Sequence, residues 1–226
     1  MKQITTQAIL LRRMNYGEAD RILTVITSDS GKVGLLAKGV RKSKSKLAGG
    51  LELFSTTNIT FIDGRSDLKI VTSAQLIDYY REISKNIDIT MVGYDFLKYV
   101  DAYTEEESGG EFYQLLIEAL GSLNEPGTPT GHTAVWFYVH LLLNSGYGLQ
   151  LDTDLSGNAF SEESLYDFSY EDMSFFVHKT GSYTPRHIKL LRLLTKVGSP
   201  AHLLKVQDAD IIIDDLIVLL KNAVRY

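Results

Sequence analysis

Cysteine is absent from the 226 residues. Its absence removes disulfides, thiolate zinc sites, iron–sulfur clusters and cysteine nucleophiles together. Only four prolines and eighteen glycines occur, which excludes collagen-like or proline-rich low-complexity character. No window approaches the roughly eighteen uninterrupted apolar residues that a membrane span needs. The best candidate, Ala134 to Leu143, is short and contains His140. The first apolar run ends at Arg12 and Arg13, without the hydrophobic region of a signal peptide, so a cytoplasmic chain is expected. What remains, 44% hydrophobic and 23% charged residues, is the composition of a folded chain with one large or two small domains.

One further absence is local. From Tyr99 to His178 there is no lysine or arginine, against fourteen acidic residues. Residues 1–80 carry twelve cations and seven acids, a surplus of +5, and residues 179–226 carry eight and four, a surplus of +4. The net charge of −5 therefore conceals a basic beginning, an acidic middle and a basic end. Such division suits one surface for a polyanion and a separate acidic surface, although drifting surface charge would also produce it.

The cations of the first block cluster further. Lys32, Lys38, Arg41, Lys42, Lys44 and Lys46 lie between Ser30 and Leu51 with no acid among them. Glycine, serines and a lack of apolar periodicity make the core of this run a flexible loop. Lysines neutralise phosphate without demanding geometry, and serine hydroxyls and backbone amides add hydrogen bonds. Lysines also keep sheet edges from aggregating, but six cations exceed that need.

The pattern along the chain predicts an α+β protein. Strands are expected over Thr5–Met14, Arg21–Thr27, Lys32–Ala37, Leu53–Ile62 and Leu68–Leu76, with Asp63-Gly64-Arg65-Ser66 as a turn. Five strands in about eighty residues fit a small closed barrel of the OB type, an SH3-like barrel being its rival. Helical spacing follows over residues 80–104, Glu111–Leu123, Gly131–Ser145, Arg186–Val197 and Asp208–Val224, with a short helix opened by Ser199-Pro200. The expected domains are thus an OB-fold nucleic-acid-binding module over residues 1–79 and an α-helical domain over 80–226. The latter is interrupted by an irregular insertion at about 146–183.

Catalytic signatures are missing: there is no phosphate-cradling Walker loop, no H-E-x-x-H, no G-x-S-x-G and no G-x-G-x-x-G after a strand. The histidines at 132, 140, 178, 187 and 202 show no metal-ligand spacing, and His140 reads as a satisfied core histidine. Glu105-Glu106-Glu107 reads as a solvated loop and Asp214-Asp215 as the polar face of the last helix. No enzyme, cofactor or metal site is proposed by these residues.

A more specific string is Tyr16-Gly17-Glu18-Ala19-Asp20-Arg21-Ile22-Leu23, followed by Thr27, Gly31-Lys32, Ala37-Lys38-Gly39-Val40-Arg41-Lys42, Ser45 and Gly50-Leu51-Glu52-Leu53-Phe54. In order and spacing it resembles RecO, the bacterial recombination-repair mediator family. The helical half resembles that family in layout and in the Leu-Leu-Asn-Ser-Gly-Tyr segment at 142–147. The resemblance implies a non-enzymatic protein that binds single-stranded DNA through an OB domain and anneals complementary strands. With RecR, and in some settings RecF, such proteins help load RecA onto DNA coated by single-strand-binding protein (SSB), whose acidic C-terminal tail they contact.

Carried onto this chain, the implied DNA contacts are the motif cations Arg21, Lys32, Lys38, Arg41, Lys42 and Lys46. Lys44, Arg12, Arg13 and Lys69 join them on charge alone. Tyr16, Phe54 and Phe61 are the nearest aromatics for base stacking, the two phenylalanines reading equally well as core. The acids of Gly17-Glu18-Ala19-Asp20 are expected to fix the first turn. Many relatives carry a four-cysteine zinc site after the central helix. Thr153 and Ser156 stand where two of those sulfurs would be, so zinc is not carried over, and aromatics from Tyr147 to Phe176 must hold the segment instead. The SSB tail, acidic with an apolar end, is expected on the last third, at Lys179, Arg186, Lys189, Arg192 and Lys196. A protein adaptor with an acid-binding loop and an RNA-binding OB module remain the competing readings, with a hydrolase a distant fourth.

Overall fold

A computed structural model of the chain describes residues 2–64, 67–105 and 110–225. Arg65 and Ser66 of the expected turn, and Glu106 and Glu107 of the acidic triplet, lie outside the described residues. The chain forms two compact units, the first ending at Pro126 and the second beginning at Gly127.

In the first unit, β1 (Lys2–Tyr16), β2 (Asp20–Thr27), β3 (Gly31–Ala37), β4 (Ser55–Asp63) and β5 (Lys69–Tyr79) close a barrel in the order β1-β2-β3-β5-β4. β1 pairs with both β2 and β4, and the short β3–β5 junction is parallel while the other pairings are antiparallel. This is the OB-type, α+β arrangement expected from the sequence. The barrel is filled by one side of each strand, with Ala8, Leu10, Leu23, Val25, Leu35 and Phe61 among its buried residues.

A bulge in β1 decides which side chains face outward. Leu10 pairs with Val25 and Arg12 with Thr24, leaving Leu11 as a surplus residue. Simple alternation from Ala8 and Leu10 would send Arg12 and Met14 into the barrel. The extra residue reverses the phase, so Arg12, Met14 and Tyr16 take the outer face and Arg13 takes the inner one, at the barrel mouth.

Two helices beyond the end of the strands at Tyr79 complete this compact unit. α1 (Ile87–Tyr103) starts later than the periodicity suggests, because a 3-10 turn at Ile83–Lys85 intervenes. Asn86 then caps the helix, its Oδ1 accepting from the amides of Asp88 and Ile89 at 2.9 and 3.3 Å. α2 (Glu111–Asn124) joins β1 through a hydrogen bond from the Tyr113 hydroxyl to Gln7 Oε1 at 3.0 Å. Phe54, at φ +56°, wedges its ring against Gly93 and meets Tyr94 edge-on at 5.1 Å.

The second unit contains α3 (Thr130–Asn144), α4 (Pro185–Leu194) and α5 (Asp210–Ala223), with a 3-10 turn at Pro200–Lys205. α3 is buried nearly all round, including Val135, Trp136, Phe137, Tyr138 and Val139. The segment expected to be irregular contains a hairpin, β6 (Tyr166–Ser169) and β7 (Ser174–Val177). Four-residue strands are too short to display a period against the surrounding polar residues. Tyr166, Phe168 and Phe175 are buried there as expected. Tyr147 is not: its amide bonds Leu142 O at 2.9 Å across the left-handed Gly146, which satisfies the backbone and leaves the ring in solvent. Among the described residues no helix is long and apolar enough to cross a membrane.

Candidate nucleic-acid interface

The cationic loop leaves β3 at Ala37 and is tied down at its first half, contrary to the expected flexible connection. Gly39, at φ +64°, opens a turn closed by the Lys42 amide on Gly39 O at 3.1 Å, and the Ser45 amide bonds Lys42 O at 2.9 Å. The β1–β2 turn fastens this structure from the side. The Gly39 amide donates to Asp20 Oδ1 at 2.7 Å, the Arg41 amide to Ala19 O at 2.9 Å, and the Arg41 guanidinium to Gly17 O at 3.4 Å. Asp20 therefore fixes the loop, while Glu18 stays exposed. The loop ends in a 3-10 turn at Ala48–Gly50, where a Cβ on Gly50 would stand 2.7 Å from Ala74 O.

Lys38, Lys42, Lys44 and Lys46 are exposed, and their side chains have no hydrogen-bond or ion-pair partner among the described residues. Arg41 is also exposed. Arg21 lies across from Ala37, next to the start of the loop, and donates to Asn15 Oδ1 at 3.3 Å. The structure thus gathers these six cations along one loop and its border.

The other four candidate cations are already countered. Arg13 contacts Glu52 at 2.5 Å, and Lys69 contacts Asp63 at 2.6 Å. Lys32, 21% exposed, donates to Asp101 O at 2.7 Å in the last turn of α1 and lies 3.6 Å from its carboxylate, so it acts as a strut between β3 and the helix end. Arg12 reaches the same carboxylate at 3.4 Å but stays 66% exposed. The ion-pair roles of Asp101 and Glu52 leave no local spacing signal, because their partners lie far away along the chain, and Asp63 reads in the sequence only as part of a turn.

Phe54 and Phe61 are 4% and 1% exposed, which removes both as stacking platforms. Phe61 faces the barrel interior and Phe54 the α1 wedge. Tyr16, 53% exposed on the outer face, remains available.

In the second unit, Arg186 and Lys189 line a cavity of about 190 Å³ with Leu190, Leu193, Val206 and Ile212. Asp208 meets Arg186 at 3.0 Å and Glu162 meets Lys189 at 2.5 Å. Lys196 is exposed one helical turn beyond Leu193, while Lys179 does not line the cavity. Arg192 points elsewhere: Nε donates to Leu151 O at 2.7 Å, Nη2 to Asp152 O at 3.1 Å, and the guanidinium lies 5.3 Å from the Phe160 ring centre. It staples the start of the loop that contains Thr153 and Ser156. The Asp154 carboxylate completes that loop, accepting from the Ser156 and Asn158 amides at 2.9 and 2.8 Å.

Among the described residues no cluster of histidine, aspartate and glutamate is arranged to hold a metal. Two histidines nevertheless find carboxylates on α5, His132 with Asp210 at 2.7 Å and His187 with Asp215 at 3.4 Å. His187 also accepts the Thr184 amide at 3.0 Å and so caps α4. His140 Nε2 sits 3.0 Å from both Leu194 O and Val197 O, and burial lowers its pKa more than those carbonyls raise it.

A closed OB-type barrel edged by an ordered cationic loop, followed by helices, belongs to a class of architecture that suits the binding of nucleic acid. Comparison with known proteins narrows the class. Residues 1–80 match the family described as Recombination protein O N terminal. The chain is 35% identical over 147 residues to the DNA repair protein RecO of Dehalococcoides mccartyi, covering 65% of this chain and 57% of that one. It is 33% identical over 165 residues to that of Roseiflexus sp., covering 73% and 57%. Against the Bacillus pumilus protein the figures are 27% over 188 residues, 83% and 72%. The chain is thus a relative of the RecO DNA repair proteins, its first eighty residues carry their amino-terminal domain, and the resemblance drawn from the motifs is borne out. It aligns with 57% of the length of the first of these relatives.

Proposed function

We propose that this chain is a DNA repair and recombination mediator that binds and anneals single-stranded DNA through its barrel. In this reading it acts with RecR to help load RecA onto SSB-coated DNA, with RecF an indirect partner, and is not an enzyme. The observation that carries the reading is the loop between β3 and β4: four exposed lysines without acidic partners, on a backbone pinned by Asp20. Fixed cations of one sign lower the ordering cost of binding a flexible polyanion.

The contacts proposed are Arg21, Lys38, Arg41, Lys42, Lys44 and Lys46, with Arg12 on the outer face. Lys32, Lys69 and Arg13 serve in this scheme as struts. The second unit supplies the protein contact: the cavity under Arg186 and Lys189 has cations at its edge and apolar walls, which suits a peptide with acidic residues and an apolar terminus. The test is fluorescence anisotropy of a labelled single-stranded oligonucleotide across a salt series. With about four to six phosphates engaged, log affinity falls against log salt with a slope of roughly −3 to −4. Neutralising Lys38, Lys42, Lys44 and Lys46 together shrinks that slope by nearly 3 and abolishes annealing. A flat response in the unaltered protein refutes the reading.

A further inference from the structure

The outer face of the barrel carries a feature that phosphate binding does not use. Met14 pairs with Ile22, Ile22 with Leu36, Leu36 with Ile70, and Ile70 with Ile62. Directly paired residues point to the same side of a sheet, so these five side chains form a single apolar row across all five strands. Met14 and Ile70 are 54% and 37% exposed, while Ile22, Leu36 and Ile62 are half-buried. From Met14 to Ile70 the row crosses three strand intervals, about 14 Å.

Its borders are mostly polar and include the cations Arg12 and Lys38. On one side the next pair along β1 and β2 is Tyr16 and Asp20, with exposed Lys38 following β3. On the other side Arg12 pairs with Thr24, and Thr24 with Gly34. Beyond that, Ile9, Ile26 and Lys32 share the next row, where Ile9 and Ile26 are fully buried and Lys32 is held by Asp101. The uncovered area is therefore an apolar strip with an exposed tyrosine, set between Arg12 and the cationic loop.

We propose that this row, Met14, Ile22, Leu36 and Ile70 with Tyr16 beside it, is the platform for the unpaired bases of the nucleic acid whose phosphates the loop holds. The inference rests on the DNA-binding reading above and adds the base-contacting half of the site. A strip of apolar side chains flanked by cations matches the two-sided chemistry of a single strand, whose bases need a dry surface and whose phosphates need charge. A protein partner would find the same apolar row, but the flanking cations and the unpartnered lysines favour the polyanion.

The experiment compares a labelled oligonucleotide with an abasic one of equal length, which keeps the phosphates and lacks the bases. Both are titrated into the intact chain and into a variant carrying Met14→Gln, Tyr16→Ser and Ile70→Thr, three exposed positions. Thermal melting and circular dichroism verify its fold, and the single substitutions are measured alongside. The unaltered chain is expected to bind the normal strand about tenfold or more tightly than the abasic one. The variant loses that preference while its salt slope is unchanged. Equal binding of both strands by the unaltered chain overturns the inference but leaves the phosphate-binding reading intact. A variant that retains the preference also overturns it and hands the row to a protein partner. Absence of binding to either strand at low salt sinks the DNA reading and this inference together.

Discussion

Replacing Arg192 with alanine separates two roles that a basic residue on α4 is able to play. Its guanidinium makes two hydrogen bonds to the carbonyls of Leu151 and Asp152, at 2.7 and 3.1 Å, and lies 5.3 Å from the Phe160 ring centre. Leu151 is buried, so removing the donor leaves its carbonyl unsatisfied, at about 1–3 kcal/mol. The lost cation–π contact adds roughly 0.5–1 kcal/mol. A total of about 1.5–4 kcal/mol lowers the melting temperature of a unit this size by about 6 °C or more. Hydrogen exchange should accelerate around residues 150–160 before it does in α3. Affinity for an acidic peptide with an apolar terminus should be unaltered at temperatures where the variant is folded, whereas Arg186→Ala with Lys189→Ala should weaken it at least tenfold. An Arg192→Ala protein that melts as the unaltered chain does, yet fails to bind the peptide, would refute the structural assignment.

Two further outcomes follow from buried contacts. Burial holds the His140 imidazole below its usual 6.5, so the folded chain keeps it neutral while the unfolded chain takes up a proton. Its contribution is complete above pH 6.5 and is lost progressively as the pH falls from there through the lowered folded value. Urea midpoints at pH 7.5 and 5.5 should therefore differ less in His140→Gln than in the unaltered chain, and identical differences would exclude the effect. Gly50→Ala places a methyl 2.7 Å from Ala74 O and 2.8 Å from its carbonyl carbon, so β5 or the end of the loop must shift at a cost of about 1–3 kcal/mol, read by thermal melting.

Five strands, their approximate limits and the loop between β3 and β4 were legible from alternation, turn residues and charge. The bulge at Leu11 was not, since Ala-Ile-Leu-Leu-Arg-Arg reads as an apolar run whichever residue is surplus. That hid the outward turn of Met14 and Tyr16. Which candidate cations are free was equally hidden: Lys32 meets Asp101 and Arg13 meets Glu52 only once the barrel has closed. Phe54 and Phe61 show the converse limit, because an aromatic beside a cationic loop has the same sequence appearance whether it faces solvent or core. On α4, spacing placed Arg186 and Lys189 together but did not reveal that Arg192 turns toward Leu151.

The surplus residue in β1 means that the strand holds one residue more than its pairing needs, so the tip of the first hairpin is addressed by its partners on β2 and not by counting along the chain. Deleting Leu11 would let Leu10 run straight on to Arg12 opposite Thr24, and Arg13 and Met14 would keep their inner and outer destinations. Relatives differing by a single position here would present the same chemistry to the same ligand, one through a bulge and the other through a regular strand. Alignments of such barrels are therefore best anchored on strand phase at this point, with the gap placed at the bulge.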